Sequence, residues 1–592
     1  MLWGLSSLAF AALSFHSGSF GYSQQPLATA TASESGSERW SCRPFLPKVF
    51  IDRPPPLTHP AIREATKVLD EYISGHIAEG GIDSLSIAVV TSEGMLYERN
   101  SGVLRANETN SPPVTSDSMY RLASISKLFT VLEGMVLEQK GIISWDDPVE
   151  KYIKGFKYRL DALDPEQSHP SRDEAPITLA QLATHMSGLG RDWPSGTAHD
   201  WPQEVTGGAP PENGLPFPTP ASFFHSISEQ YLVSPPWAYP SYSNTGFGVL
   251  GLALAEAASA AYGTKLNHAE LLKRDIFEPL GLNGSHFLAT DANKHLVVVP
   301  SFEQNIVDLD FTDTMNPAGG QFSSLADLAT LTQTLLNPRS PKSLLTQYSM
   351  DKWLRPAHSF EEDDWTELGF VWEIVKARDS NDRLRRIYWK LGNIAAFHTA
   401  IAIHPGTSYG IVLLLSSAYP FASEIVYDAF EILQPAIDKA LADASETLYA
   451  GHWVASGDDT NITNSSSVHL AVDRGTLYID EFTLLGVDGL KKLGAEGRVA
   501  LRPTRKDEFR IDVGIPAYNG KRSMGCFSYW ATHDNWPVLN NKAINAIYFT
   551  GEGEGHCDAP RLDVLVSLLG PSCGWSLAGA SCFPSSCLCS VN

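Results

Sequence analysis

The sequence predicts an α/β fold of the α+β type, in which an antiparallel sheet is flanked by helices and carries an all-helical insertion, followed by a separate all-β domain. Three observations predict it. Apolar residues recur at helical spacing near 62–73 and 124–141, strand patterns occur near both ends of the region 61–445, and the segments beyond that region alternate with period two. A chain of 592 residues is also too long for one ordinary core, which favours at least two domains.

The N-terminal region is expected to precede the folded part. Residues 1–21 contain an apolar run followed by small residues, which is typical of a signal peptide, although no Lys or Arg precedes the run. A disordered apolar tail is the alternative. Residues 22–60 are rich in Ser, Thr, Ala and Pro and predict an extended leader. We therefore expect a secreted, extracellular protein.

The elements of the first domain, 61–445, follow from local patterns. A helix near residue 62 and a hairpin of strands at 85–90 and 95–97 open it, and a helix at 124–141 comes next. The middle, 145–345, predicts helices separated by loops rich in Pro and Gly. Strand signals return before a closing helix at 424–441, and they lie at 368–375, 386–391, 399–404 and 409–415.

The second domain, 446–568, is predicted as a barrel or sandwich, because its segments alternate apolar and polar residues. A Cys-rich tail, 569–592, is expected to be disordered. The chain has seven cysteines, for which extracellular disulfides are the natural interpretation, but spacing leaves their pairing open. They are Cys42, Cys526, Cys557, Cys573, Cys582, Cys587 and Cys589.

Composition restricts the classes of partner. The formal charge of −23, from 44 Lys and Arg against 67 Asp and Glu, argues against nucleic acid. Beyond the N-terminal run we expect no membrane span, and the histidine spacing predicts neither a metal site nor a cofactor. Four glycosylation sequons fit a secretory route: Asn107, Asn283, Asn461 and Asn464.

The first motif with chemical content is Ser124-Ile-Ser-Lys127 at the start of the predicted helix. Residues at i and i+3 share a helix face, so the Lys127 amine can reach the Ser124 hydroxyl. A serine becomes a good nucleophile when a neighbouring base takes its proton, and a lysine can do so when its pKa is depressed. The motif alone is weak, because such pairs arise by chance in a chain of this size.

Two further motifs support it. Tyr242-Ser-Asn244 lies in a loop before an apolar helix, where a phenol could relay protons and an amide could hold Lys127 or a substrate carbonyl. Lys390-Leu-Gly392 ends a predicted strand. Gly392 would let the strand edge approach a substrate, and the N–H of Asn393 could join that of Ser124 in an oxyanion hole.

The order Ser-x-x-Lys, Tyr-x-Asn, Lys-x-Gly resembles the active-site set of class C β-lactamases, penicillin-binding proteins and β-lactamase-like esterases. The segments 141–152, 177–189 and 318–328 also resemble this family, outside its catalytic set. The resemblance implies a β-lactamase/transpeptidase-like fold over about 60–440. It is closest to fungal secreted β-lactamase-like proteins with a C-terminal β domain.

The resemblance implies a serine hydrolase that forms an acyl-enzyme on Ser124. Lys127 and Tyr242 would together act as the general base. Its substrate would be a small-molecule or peptide-like acyl compound: an ester, an amide or a β-lactam. Leu391 replaces a polar residue of the family and cannot bond a substrate carboxylate, which favours an esterase or amidase over a β-lactamase. An acyltransferase and a non-catalytic binding protein are the alternatives, and the sequence leaves the oligomeric state open.

Overall fold

The computed structural model describes residues 42–160, 176–192, 216–456, 466–495, 497–513, 526, 529–530, 538–539, 542–550, 561–564 and 574–577. Two compact units divide the chain. The larger comprises 46–450 with 472–475, and the smaller comprises 1–45, 451–471 and 476–592. The predicted signal peptide lies outside the described residues.

The larger unit is built on an eight-stranded sheet whose neighbouring strands all run antiparallel, in the order β2-β1-β10-β9-β8-β7-β6-β5. Strands β3 and β4 pair separately. The strands are β1 Ile82–Thr91, β2 Met95–Gly102, β3 Met119–Arg121, β4 Phe322–Ser324, β5 His358–Ser359, β6 Thr366–Leu368, β7 Glu373–Arg378, β8 Leu384–Ile394, β9 Phe397–His404 and β10 Tyr409–Ser417. Both ends of the domain contribute to one sheet, as predicted.

Helices flank this sheet and fill the middle of the chain. They are α1 Pro60–Glu79, α2 Ser126–Gln139, α3 Leu179–Ala183, α4 Pro220–Glu229, α5 Asn244–Tyr262, α6 His268–Leu272, α7 Glu278–Leu280, α8 Thr312–Gly319, α9 Leu325–Leu336, α10 Gln347–Trp353 and α11 Ala422–Tyr449. Every residue of β9 and β10 is buried, so the centre of the sheet is covered on both faces. The predicted α+β architecture is confirmed.

Helix α5 differs from expectation in one respect. By length and composition it could cross a membrane, although we expected no such stretch beyond the N-terminus. Two thirds of its most apolar window, 67%, is buried inside the unit, which is typical of a core helix. It packs against α2 and α8 in the larger unit.

The strand predicted at 368–375 is wrong, because this segment forms the end of β6, a tight turn and the start of β7. The Gly369 N–H donates to the Trp372 carbonyl across the turn. Val371 takes a left-handed backbone conformation with φ 64°, and its N–H bonds to Ala183. The apolar run 370–372 looks like a strand in sequence, yet tertiary contacts bend it.

The smaller unit is all-β, as predicted. Among the described residues, nine strands form one sheet in the order β12-β11-β21-β20-β19-β16-β15-β13-β14, while β17 and β18 pair separately. Because β12 also pairs with β13, the larger sheet curves round on itself as in a barrel. The elements are β11 Gly451–Ser456, β12 Ser467–Asp473, β13 Thr476–Leu484, β14 Val487–Asp488, α12 Gly489–Lys492, β15 Val499–Arg505, β16 Glu508–Asp512, β17 Val538–Leu539, β18 Lys542–Ala543, β19 Ala546–Thr550, β20 Arg561–Val564 and β21 Gly574–Leu577. Strand β21 lies in the segment for which we expected disorder.

One disulfide joins Cys42 to Cys526 in the smaller unit. The other five cysteines lie outside the described residues, so their pairing stays open. Of the four sequons, Asn107 and Asn283 lie in exposed turns, whereas Asn461 and Asn464 fall outside the described residues.

Candidate active site

Ser124 lies in a 3₁₀ turn, Ala123–Ile125, immediately before α2. We predicted that the helix begins at Ser124, whereas the α-helical part begins two residues later. The first amides of such a helix have no acceptor within it, so the Ser124 N–H is available to a ligand. The side chain is partly exposed and can meet a substrate.

Lys127 is completely buried one turn behind Ser124. Its Nζ donates to Ser124 Oγ at 3.0 Å and to the Ala318 carbonyl at 2.6 Å. The predicted contact between the two motif residues is therefore present. Lys127 Nζ also lies 5.0 Å from the ring centroid of Tyr242 and 5.6 Å from that of Phe247. These contacts fix the amine beside the hydroxyl.

Tyr242, from the second motif, contacts the same hydroxyl: its Oη donates to Ser124 Oγ at 2.7 Å. The loop that carries it ends at Ser243, which caps α5 by accepting the Gly246 N–H at 2.7 Å. A well-formed helix start thus holds the phenol in place. The structure brings Tyr242 into contact with Ser124 and Lys127, although Tyr242 lies 118 residues after Ser124 along the chain.

Charge around this trio favours proton transfer. Burial raises the pKa of the Tyr242 phenol, but the ammonium groups of Lys127 and Lys390 outweigh burial, and the pKa lies below its ordinary value. Burial lowers the pKa of Lys127, and Lys390 lowers it further against the opposing effect of Tyr242. Both shifts move these groups toward the form that accepts a proton near neutral pH.

Asn244 contacts a neighbouring loop rather than Lys127, and a substrate carbonyl stays its other predicted partner. Its Nδ2 donates to Asp192 Oδ1 at 2.5 Å, and its backbone N–H donates to the Arg191 carbonyl. In the described part of the chain Lys127 donates to Ser124 and Ala318, so the amide does not orient Lys127 directly. Arg191 places its guanidinium 4.9 Å from the Tyr242 ring centroid. Asn244 is therefore connected to Tyr242 through the loop that contains Arg191 and Asp192.

Lys390 is almost fully buried, with 1% of its side chain exposed, and faces Tyr242 with Nζ 5.3 Å from the ring centroid. It is paired with Glu373: Nζ lies 2.5 Å from Glu373 Oε1, and Nζ also donates to the Leu391 carbonyl. Burial lowers the pKa of Lys390, but Glu373 outweighs burial and raises it. The pairing with Glu373 therefore favours the charged form of Lys390 next to the phenol.

Gly392 and Asn393 occupy the edge of β8 beside the Ser124 turn. A Cβ on Gly392 would lie 2.1 Å from the Leu122 carbonyl oxygen and 2.5 Å from Thr399 Oγ1, so close packing within the protein by itself requires glycine here. The approach of a substrate at this strand stays a prediction. The Leu391 N–H points away from β9, toward Glu373. Backbone N–H groups alternate in direction along a strand, so the Asn393 N–H, two residues later, points the same way. The pairing of β7 with β8 ends at Trp389, so this side of Asn393 is not paired with β7.

His185 is a site residue that sequence reasoning missed. Its ring stacks on the Tyr242 ring with centroids 4.4 Å apart, and Nδ1 accepts the Ser243 N–H at 3.0 Å. Burial, with Lys127 and Lys390 nearby, holds its pKa well below the ordinary value. A neutral ring in this position supports Tyr242 and adds no positive charge. His185 lies inside the segment 177–189 that resembles the family, and this resemblance was the sequence signal that could have identified it.

The segment 318–328, which resembles the family outside its catalytic set, also contacts the site. The Ala318 carbonyl accepts from Lys127, and the Gln321 N–H donates to Ser126 Oγ at 3.0 Å. Thr130 Oγ1 donates to the Pro317 carbonyl at 2.9 Å. Three polar side chains on one face of α2 are thereby fixed to a single stretch of backbone.

Strained backbone surrounds these residues. Ala123, immediately before Ser124, and His185 have left-handed φ values of 48° and 60°. Val371, two residues before Glu373, and Ala395, two residues after Asn393, have values of 64° and 49°. Each such residue costs on the order of 1–2 kcal/mol, which the surrounding packing must offset. Strain of this kind is typical of functional sites.

Known proteins are similar to this chain in sequence. The sequence model of the family described as Beta-lactamase matches residues 69–434. Beta-lactamase-like protein str6 of Strobilurus tenacellus is 38% identical over 290 residues, 48% of this chain and 93% of that protein. D-alanyl-D-alanine-carboxypeptidase/endopeptidase AmpH of Escherichia coli (strain K12) is 28% identical over 284 residues, 48% of this chain and 64% of that protein.

A solved structure is similar in fold. It is a Beta-lactamase/D-alanine Carboxypeptidase from Yersinia pestis complexed with citrate, with a TM-score of 0.50 and 21% identity. The match covers 63% of this chain and 98% of that chain. At this identity the similarity concerns the fold alone, and it confirms the β-lactamase/transpeptidase-like architecture.

Proposed function

Because the chain belongs to the beta-lactamase family, we propose that it is a serine hydrolase that forms an acyl-enzyme on Ser124 from an ester or amide substrate. One observation carries the proposal. Ser124 Oγ lies 3.0 Å from Lys127 Nζ and 2.7 Å from Tyr242 Oη, so a nucleophile and two proton-accepting groups meet at one point. No part of this arrangement needs a cofactor.

Acylation begins with the phenolate form of Tyr242, which Lys127 and Lys390 stabilise. Tyr242 takes the proton of Ser124 Oγ as that oxygen attacks the carbonyl carbon. The carbonyl oxygen gains the negative charge, for which the N–H groups of Ser124 and Asn393 are the donors. When the tetrahedral intermediate collapses, the leaving group takes the proton from Tyr242, and the acyl group stays on Ser124.

Deacylation repeats these steps with water. Tyr242 takes a proton from the attacking water, and the second tetrahedral intermediate breaks its bond to Ser124 Oγ. That oxygen recovers the proton, and the acid product leaves. If an alcohol or amine replaces water, the same intermediate gives acyl transfer, so products in the presence of added acceptors distinguish hydrolase from acyltransferase.

Labelling and a substrate screen test the proposal. A fluorophosphonate probe should label the wild-type chain at Ser124, and Ser124→Ala should abolish both labelling and hydrolysis of esters and amides. Ser126→Ala, two residues further along the chain, is a serine control and should still be labelled. Ser126 Oγ accepts the Gln321 N–H, so folding of this variant is checked as well. A chromogenic β-lactam belongs in the screen. An intact Ser124 that forms no adduct with any acylating probe would instead support a non-catalytic binding protein.

We also propose that the protein acts outside the cell. The N-terminal apolar run, the exposed sequons Asn107 and Asn283, and the Cys42–Cys526 disulfide support this. Culture medium of the producing cells should contain a chain whose N-terminus begins near residue 22. An enzyme that removes N-glycans should increase its gel mobility. A chain that stays in the cells with Met1 intact would contradict secretion.

A further inference from the structure

A carboxylate-binding arrangement beside the nucleophile is occupied by the protein's own Glu373. Glu373 Oε1 lies 2.5 Å from Lys390 Nζ, and Oε2 accepts the Leu391 N–H at 3.2 Å. A cation and a backbone amide therefore each bind one oxygen of the same carboxylate. This is a typical way for a protein to bind a free carboxylate with defined orientation.

The arrangement lies at the site described above. Lys390 Nζ is 5.3 Å from the ring centroid of Tyr242, whose Oη bonds to Ser124. The side chain of Lys390 is 1% exposed, whereas that of Glu373 is 26% exposed. The carboxylate therefore covers the cation on the accessible side.

Glu373 is held firmly. It is the first residue of β7, and its partner across the sheet is Trp389, next to Lys390 in β8. The preceding residue, Trp372, is buried, and Val371 before it is fixed by a bond from its N–H to the Ala183 carbonyl. A substrate carboxylate would have to displace an anchored anion rather than a mobile side chain.

We propose that Glu373 is a specificity-determining residue that reserves the site for substrates without a negative charge near the scissile bond. The inference rests on the proposed function and narrows it to neutral esters or amides. A substrate that carries a carboxylate would meet a paired cation, no free amide at Leu391, and repulsion from Glu373. The charge that would attract such a substrate is already neutralised within the protein.

A matched pair of esters tests this directly. Phenyl butyrate and 3-carboxyphenyl butyrate share an acyl group and differ by one carboxylate in the leaving group. The measured quantity is the ratio of kcat/KM for the charged ester to that for the neutral one, in wild type and in Glu373→Gln. Because both esters are assayed on one preparation, the ratio does not depend on how much of the enzyme is folded. Differences in intrinsic reactivity cancel between variants.

We expect wild type to favour the neutral ester and Glu373→Gln to raise the charged-to-neutral ratio at least about tenfold, since the variant removes like-charge repulsion and frees Lys390. Glu362→Gln removes a charge from an exposed residue and should leave the ratio unchanged. Inhibition of wild type by phenylboronic acid and 3-carboxyphenylboronic acid gives a measurement independent of any variant. The uncharged boronate should bind at least about tenfold more tightly.

The outcomes separate the two proposals. If wild type cleaves the neutral ester through Ser124, but Glu373→Gln leaves the ratio unchanged, the role of Glu373 is wrong and the serine hydrolase stands. Tighter binding of the charged boronate by wild type also overturns it. If wild type cleaves neither ester and Ser124 is not labelled by the fluorophosphonate, the proposed function itself fails.

Discussion

Tyr242 and Ser124 are joined by a 2.7 Å hydrogen bond between the phenol oxygen and Oγ, and Nζ of Lys127 and of Lys390 lie 5.0 and 5.3 Å from the centroid of the phenol ring. In the resting arrangement the phenol donates to Oγ. Loss of the phenol proton reverses the direction of the bond, so that Ser124 donates to a phenolate. The short contact is therefore already suited to the first proton transfer of acylation.

Tyr242→Phe should lower kcat/KM for a neutral ester by about 10²–10⁴-fold, because it removes the proton acceptor while keeping the ring that stacks on His185. The measurement is ester hydrolysis, with circular dichroism and the thermal midpoint as tests of folding. Tyr348→Phe, at a tyrosine that is 79% exposed, is the matched control and should retain full activity. A Tyr242→Phe enzyme within about threefold of wild type would assign the base role to Lys127 alone.

Lys390→Met should shift the acid limb of the pH profile of kcat/KM to higher pH. Lys390 lowers the pKa of the Tyr242 phenol, so its removal raises that pKa, and a higher pH is needed to form the phenolate. Activity should therefore rise through a more alkaline midpoint than in wild type. Lys342→Met removes an exposed lysine and should leave the midpoint in place. An unshifted midpoint in Lys390→Met would show that Lys390 does not act on the titrating group.

Gly392→Ala should reduce activity sharply and destabilise the larger unit by about 1–3 kcal/mol. The added methyl group would lie 2.1 Å from the Leu122 carbonyl oxygen, so the backbone that leads into the Ser124 turn must move. Fluorophosphonate labelling rates and urea unfolding measure the two effects. Gly94→Ala is the control, since its added methyl group meets no atom within 4 Å. Wild-type labelling by Gly392→Ala would mean that the turn tolerates displacement.

The order of the three motifs, through its resemblance to the family, was sufficient to predict that Ser124, Lys127 and Tyr242 gather. The helices and the central strands were also predictable, since apolar periodicity is strong there. The turn at 369–372 could not be predicted from the sequence. Its residues are apolar, and their bend depends on Val371 bonding to a distant helix end.

Glu373 was missed for the same reason. A prediction that merges β6 and β7 into one strand gives the wrong register against β8, and only the true register places Glu373 beside Trp389 and within reach of Lys390. Asn244 shows the converse case. Its position in the motif is readable from sequence, yet its partner, Asp192, belongs to a loop whose path the motif does not specify.

His404 gives the larger unit a stability that depends on pH. Burial, with a smaller effect from Arg385, lowers the pKa of His404 from 6.5 to about 3 in the folded protein. Its Nδ1 accepts from the Thr407 N–H at 3.1 Å, which requires the neutral ring. The unfolded chain binds a proton below about pH 6.5 and the folded chain does not. The contribution is therefore complete above about pH 6.5 and is lost as the pH falls toward 3.

His404→Asn should flatten this dependence, because an asparagine oxygen can accept the same N–H without titrating. Between about pH 6 and 4 the free energy of unfolding of wild type should fall more steeply than that of the variant, by about 1.4 kcal/mol per pH unit. Urea unfolding followed by tryptophan fluorescence at several pH values measures both slopes. His295→Asn changes an exposed histidine and should follow wild type. Equal slopes in wild type and His404→Asn would mean that His404 is not the group that resists protonation in the folded state.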